Sequence, residues 1–165
     1  MDIGTGAGFP GVPLKIAFPH LEACLLDSLK KRVNFLEETF QLLKLENITA
    51  IHGRAEEFAK NKAYRETYDL CVSRAVSNLA TLSEYCLPYV KTGGFFISYK
   101  SGTVQEEVEQ AQKAVKILGG KIQDVVYFQL PDSEIQRSLV VIEKIKATPG
   151  RYPRKAGTPL KEPLS

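Results

Sequence analysis

At 165 residues, 44% hydrophobic and 25% charged with a net charge of +3, the chain has room for one domain with a real core and is too apolar to be disordered. No apolar run approaches the roughly 20 residues needed to cross a membrane, and no basic-then-apolar leader opens the chain, so the sequence reads as cytoplasmic. Three cysteines without a CxxC spacing, and two histidines (His20 and His52) without ligand spacing, argue against a disulfide framework or a metal site.

In chain order, Met1-Asp2-Ile3 reads as the end of a first strand. A glycine-rich turn follows, then a short helix at 13–18. Apolar runs rich in Val, Ile, Phe and Tyr mark strands at 21–27, 48–52, 68–73, 94–99, 122–130 and 138–145. After Asp27, Leu29, Val33, Leu36, Phe40 and Leu43 repeat at 4-3-4-3 spacing, one face of a helix. Val104, Val108, Ala111, Val115 and Leu118 repeat the pattern, and Gly119-Gly120 ends it. Shorter helices fit 55–59 and 78–87. Strand alternating with helix implies an α/β fold with a mostly parallel, doubly wound sheet. The last two strands are separated only by 131–137, too short for a crossover helix, so an antiparallel pair is expected there.

The first strand of such a sheet is largely missing, and the chain is expected to be truncated at its N-terminus. The gap between strands 21–27 and 68–73 should then be filled by residues upstream or closed by self-association, whereas the full-length protein should be monomeric. If the gap stays open, the glycine loop should lose its anchor. Residues 1–146 read as the core and 147–165 as an extended tail holding four of the nine prolines. From Lys144 onward six basic residues face one acid, a net of +5, leaving −2 for the rest of the chain. Such a tail suits a polyanionic partner, although a merely solvated terminus would look the same.

The loop Asp2-Ile3-Gly4-Thr5-Gly6-Ala7-Gly8-Phe9-Pro10-Gly11 carries the chemistry. Glycines let a strand turn sharply and a ligand touch backbone, while the next helix offers free N–H donors. Gly6-x-Gly8-x-x-Gly11 matches the dinucleotide fingerprint, and Asp2-x-Gly4-x-Gly6-x-Gly8 matches the acid-led loop of S-adenosylmethionine enzymes. A carboxylate at the strand end would repel a pyrophosphate but suit an ammonium and a sulfonium, which favours the second. Asp27, with Ser28, could accept both ribose hydroxyls or cap the long helix. Gly53-Arg54-Ala55-Glu56-Glu57 follows the third strand, where backbone N–H groups at Ala55 or Glu56 could read an adenine edge; acids at a helix start are the simpler account. In Ser73-Arg74-Ala75, at the end of the fourth strand, Arg74 could clamp a carboxylate or a phosphate. No Asn/Asp-Pro-Pro-Tyr segment and no Pro-Cys pair occurs, which disfavours exocyclic-amine and covalent cytosine chemistry.

Together with Leu26-Asp27-Ser28-Leu-Lys-Lys-Arg32, Ser73-Arg74-Ala75-Val76, Tyr99-Lys100-Ser101-Gly102, Arg137-Ser-Leu-Val-Val-Ile142 and Tyr152-Pro-Arg-Lys-Ala-Gly-Thr-Pro159, these segments resemble the bacterial small-subunit ribosomal RNA guanine-N7 methyltransferase family RsmG, also called GidB. The resemblance runs through nearly the whole chain. It implies a Rossmann-like class I S-adenosylmethionine-dependent methyltransferase fold, acting on N7 of one guanine in the decoding region of the small ribosomal subunit's RNA. On the matching positions it implies cofactor binding by Gly4, Phe9, Asp27, Ala55, Glu56 and Arg74; Asp2, Thr5, Gly6, Gly8 and Ser28 complete the expected set. Lys100, Arg137, Arg151, Arg154 and Lys155 are the expected RNA contacts. No residue is assigned as a general base, since guanine N7 has a lone pair and no proton to lose. A nicotinamide-dependent oxidoreductase and a non-catalytic RNA-binding module are the alternatives.

Overall fold

The computed structural model describes residues 1–74 and 77–164. Its elements are β1 (Asp2–Ile3), α1 (Gly11–Ala17), β2 (Ala23–Asp27), α2 (Lys30–Leu42), β3 (Ile48–His52), α3 (Ala55–Phe58), β4 (Tyr68–Ser73), α4 (Leu79–Cys86), β5 (Val90–Ser101), α5 (Gln105–Ile117), β6 (Gly120–Gln129), β7 (Gln136–Lys144) and α6 (Thr158–Lys161). The strands form one seven-stranded sheet in the order β3-β2-β1-β4-β5-β7-β6. β1 to β5 run parallel, while β7 is antiparallel to both β5 and β6. This is the class I methyltransferase architecture with the expected antiparallel C-terminal pair. β5 is longer than its apolar run at 94–99 because two neighbours extend it: Val90 pairs with Tyr68, and Ser101 with Arg137. β2 starts later than expected, at Ala23, because Leu21 N–H turns back to the Phe18 carbonyl.

Alternation along β2 divides the core. Cys24 and Leu26 point into a large cluster with Leu79, Leu82, Phe96 and Leu118, and Leu25 points into a smaller one with Val12, Leu36, Phe40 and Ile48. Of the apolar stripe on α2, Val33, Leu36 and Phe40 are buried, while Leu29 and Leu43, beyond the ends of α2, are exposed. Cys24, Cys71 and Cys86 are free and buried.

β1 is two residues long and holds its neighbours apart. Asp2 sits in register with Leu25 on one side and Val72 on the other. The Met1 ammonium donates to Leu70 O at 2.8 Å, and Val72 N donates to Met1 O at 2.8 Å. Gly4 N and Thr5 N both donate to Leu26 O, at 2.9 and 3.2 Å, which ties the glycine loop to β2, while β1 itself pairs with both β2 and β4.

Residues beyond 147 do not run as an extended tail. Thr148 Oγ1 donates to Leu118 O, Thr148 N donates to Glu66, and the Arg65 guanidinium donates to the Thr148 and Tyr152 carbonyls. Arg154 then forks onto the fully buried Glu84 of α4, and Thr81 Oγ1 donates to Pro159 O. The segment is a strap whose partners in the body lie 30 to 101 residues away in sequence.

Candidate functional site

The glycine loop turns over β1 with Gly4 and Gly6 in the left-handed region, at φ +70° and +63°, where a side chain would be strained. A Cβ at either would meet nothing within 4 Å, so bare backbone faces open space. Beneath the loop the buried Asp2 carboxylate accepts the Thr5 hydroxyl at 2.6 Å and Gly11 N at 2.9 Å through Oδ2, stapling loop to helix α1. Its Oδ1 has no partner among the described residues, and burial pushes the Asp2 carboxyl above its usual range against the pull of these hydrogen bonds.

Asp27, at the end of β2, is also buried but fully engaged. Oδ2 accepts Gly6 N at 2.9 Å and Arg32 Nη1 at 3.3 Å, and Oδ1 accepts Leu29 N at 2.9 Å at the start of α2. One carboxylate thus joins the glycine loop to the long helix. Two carboxylate oxygens offer about four acceptor sites, and the half-exposed Arg32 can yield its place.

Gly4, Asp27, Ser28, Ala55 and Glu56, placed by three different strand ends, converge on one cleft of about 250 Å³. Gly53 N donates to Asp27 O at 3.0 Å, which fixes the two flanking loops to each other. Asp2, Thr5, Gly6, Gly8, Phe9 and Arg74 do not line this cleft. Arg74 leaves the end of β4 and stacks over the Phe9 ring, 5.4 Å from its centroid, bringing two expected residues together across the sheet. Ala75 and Val76 lie outside the described residues.

A second cavity of about 810 Å³ opens between β4, β5 and the β6–β7 hairpin and shares Ser77 with the first. Arg74, Tyr99, Lys100, Phe128 and Arg137 line it. Burial, then the Asp2 charge, pushes the Tyr99 phenol up, so it stands there as a neutral hydroxyl. Lys100 is committed internally: its ammonium donates to Ser77 O at 2.7 Å and to Glu107 Oε1 at 2.6 Å. Glu107 Oε1 also accepts Leu79 N, so the pair holds the start of α4. Arg137 is half-buried and donates to Gln136 O. On the strap, Arg154 is consumed by Glu84, with Arg154 Nε–Oε1 at 2.9 Å and Nη2–Oε2 at 2.7 Å, whereas Lys155 is exposed and Arg151 lies over Tyr152 facing solvent.

Sequence reasoning gave no role to Glu84, Glu107, Ser73 or the strap residues Gly157 and Leu160. Ser73 Oγ donates to Ile3 O between β4 and β1, and Gly157 and Leu160 line the smaller cleft. The partners of Ser73, Glu84 and Gly157 lie 70 to 101 residues away, so no local spacing could mark them. Among the described residues no cluster of His, Cys, Asp and Glu is suited to a metal, and no helix is long and apolar enough to cross a membrane.

Comparison with known proteins fits this geometry. The family described as rRNA small subunit methyltransferase G matches residues 1–140. The chain is 57% identical to ribosomal RNA small subunit methyltransferase G of Lachnoclostridium phytofermentans over 164 residues, covering 99% of the chain and 68% of the relative. It is 55% identical to the Clostridium novyi protein of that name, with the same coverage. Among solved structures, P. horikoshii TYW2 in complex with MeSAdo superposes with a TM-score of 0.67 at 13% identity, over 86% of this chain and 54% of that one. M. jannaschii TYW2 in complex with AdoMet gives 0.65 at 16%, over 87% and 68%. The fold, the loop and the relatives agree: this chain belongs to the rRNA small subunit methyltransferase G family.

Proposed function

We propose that this chain binds S-adenosylmethionine in the smaller cleft and transfers its methyl group to N7 of a guanine in small-subunit ribosomal RNA, in the decoding region and in the cytoplasm. The convergence of Gly4, Asp27, Ser28, Ala55 and Glu56 on one cleft, in a chain of this family, carries the reading. The bound cofactor would supply an electrophilic methyl on a sulfonium. Asp27 would accept the ribose hydroxyls, the bare backbone at Gly4 would let the ligand approach closely, and Arg74, which lines the adjoining larger cavity, would pair with the methionine carboxylate where the two spaces meet at Ser77. The larger cavity, joined at Ser77, is the approach for the guanine, with Tyr99 and Phe128 as apolar walls. N7 needs no general base, so the protein's work is positioning and partial exclusion of water.

The test is calorimetric titration with S-adenosylmethionine and with NAD, followed by methyl transfer to small-subunit RNA and chemical detection of N7-methylguanine. Binding of the first cofactor alone and methylation at N7 are expected; NAD binding, or methylation of a different atom, would overturn the reading. Asp27→Ala should weaken cofactor binding by about 1–3 kcal/mol, the cost of leaving hydroxyls without a charged acceptor. An unchanged affinity would confine Asp27 to its observed bonds with Gly6 and Leu29.

A further inference from the structure

The residues that resemble cofactor loops supply only part of the smaller cleft. Gly157 and Leu160, more than one hundred residues further along the chain, line the same space as Ala55 and Glu56. The strap reaches it under three restraints. Glu56 Oε1 accepts Gly157 N at 2.9 Å, the buried Thr81 hydroxyl donates to Pro159 O at 2.9 Å, and Arg154 grips both Glu84 and the Glu162 carbonyl. These restraints fall on both sides of Leu160, so its position is set even though its side chain makes little contact with the body. Leu160 is 60% exposed, an aliphatic side chain held at the edge of a cleft whose other apolar lining comes from Ile3, Leu26, Ala55, Leu82 and Tyr85. An apolar side chain pinned in the open beside such a surface gains free energy only when something flat and apolar enters between them.

We propose that the C-terminal strap is a wall of the cofactor cleft and that Leu160 packs against the adenine ring of the bound nucleoside. The proposal rests on the cofactor reading above and extends it to a segment that no cofactor loop includes. Glu56 then acts chiefly as a positioning residue: its carboxylate holds Gly157, and through it the strap. Because Lys155 and Lys161 flank Leu160 and face solvent, the wall also carries the cations available to a polyanion.

Leu160→Ala and Leu160→Asp in the full chain test this, with S-adenosylhomocysteine as the titrant and Leu42→Ala, an 82% exposed leucine on α2, as the control. The dissociation constant should rise about fivefold in the alanine variant and more in the aspartate one, with the melting temperature unchanged and the control indistinguishable from the parent. Contact itself is read by methyl resonances: Leu160 should shift on adding S-adenosylhomocysteine, through the ring current of adenine, and stay still on adding methionine. Unchanged or tighter binding in both variants would overturn the wall, and tighter binding would make the strap a competitor for the cleft. A parent chain that fails to bind S-adenosylhomocysteine would remove the cofactor reading and the wall with it, whereas a binding parent with silent Leu160 methyls removes the wall alone.

Discussion

Glu84 is fully buried on α4, and among the described residues every polar partner of its carboxylate comes from Arg154: the guanidinium fork and the backbone N–H at 2.8 Å. Removing one side of a buried pair leaves an uncompensated charge, typically about 3–5 kcal/mol. Arg154→Ala should therefore cost about 3 kcal/mol in a denaturant titration, and an effect under about 1 kcal/mol would show that water reaches the carboxylate. Lys144 is the counterpart on β7. Its ammonium has three acceptors, Leu87 O, Val90 O and Glu66 Oε1 at 2.9 Å. Burial pulls the Lys144 pKa down, and the neighbouring Glu66 only partly restores it. Burial pushes Glu66 up, but the Lys144 ammonium and the Thr148 N–H outweigh it and hold the carboxyl below its ordinary 4.5. A carboxylate with a depressed folded pKa contributes stability that is complete above 4.5 and lost as pH falls through the folded value. Urea unfolding between pH 6 and 3 should show the parent losing stability relative to Glu66→Gln below about pH 4.5; parallel profiles would mean the pair adds nothing.

At the scale of elements, the loop between β1 and α1 depends on one close approach. A Cβ at Gly8 would stand 2.6 Å from Val12 Cγ2 and 2.9 Å from Leu36 Cδ2, and Gly8 has φ +95°. Overpacking a tight site and straining a left-handed residue each cost about 1–3 kcal/mol. Gly8→Ala should destabilise the fold by about 2 kcal/mol or more, and it should also weaken cofactor binding because α1 is pushed from α2. A variant as stable as the parent would show that Val12 and Leu36 can yield. The periodicities of α2 and α5 located those helices, yet they also marked Leu29 and Leu43, which the structure leaves exposed beyond the ends of α2. A repeat reports a face; where a helix outreaches the sheet beneath it depends on strand lengths elsewhere.

Over the whole molecule, charge that is clustered in the chain is dispersed in the fold. Of the expected RNA-binding cations, Lys100 and Arg154 are ion-paired to Glu107 and Glu84, whereas Arg151 and Lys155 remain accessible. Arg151→Gln and Lys155→Gln should each lower the salt dependence of RNA binding by about 0.7 in slope if each contacts one phosphate, with unfolding unchanged. Arg154→Gln should act through stability and the strap. If Arg154→Gln lowers the slope while leaving stability intact, the ion pair is not formed in solution.

Strands β3 and β4 lie where their apolar runs predicted, to the residue, and the doubly wound order with its antiparallel end follows from alternation and the short link at 131–137. The acid-led glycine loop, Asp27 and the Gly53–Glu56 segment were legible for the same reason: each is a local pattern whose chemistry is written in adjacent residues. Asp27 is the instructive case, because both readings of it were open and its observed bonds to Gly6 and Leu29 show the structural one in use. The strap was not legible. Proline content and lost periodicity describe a chain without regular hydrogen bonding of its own, and they carry no information about Glu56, Glu84 or Thr81, which lie 70 to 101 residues away and supply those bonds instead. The sequence by itself determined the family, the sheet and the loop, because those rest on short-range periodicity and backbone freedom. Only the tertiary structure decided which cations are ion-paired, what the Asp2 carboxylate holds and which distant residues line the cleft, because buried polar groups choose partners by distance in space.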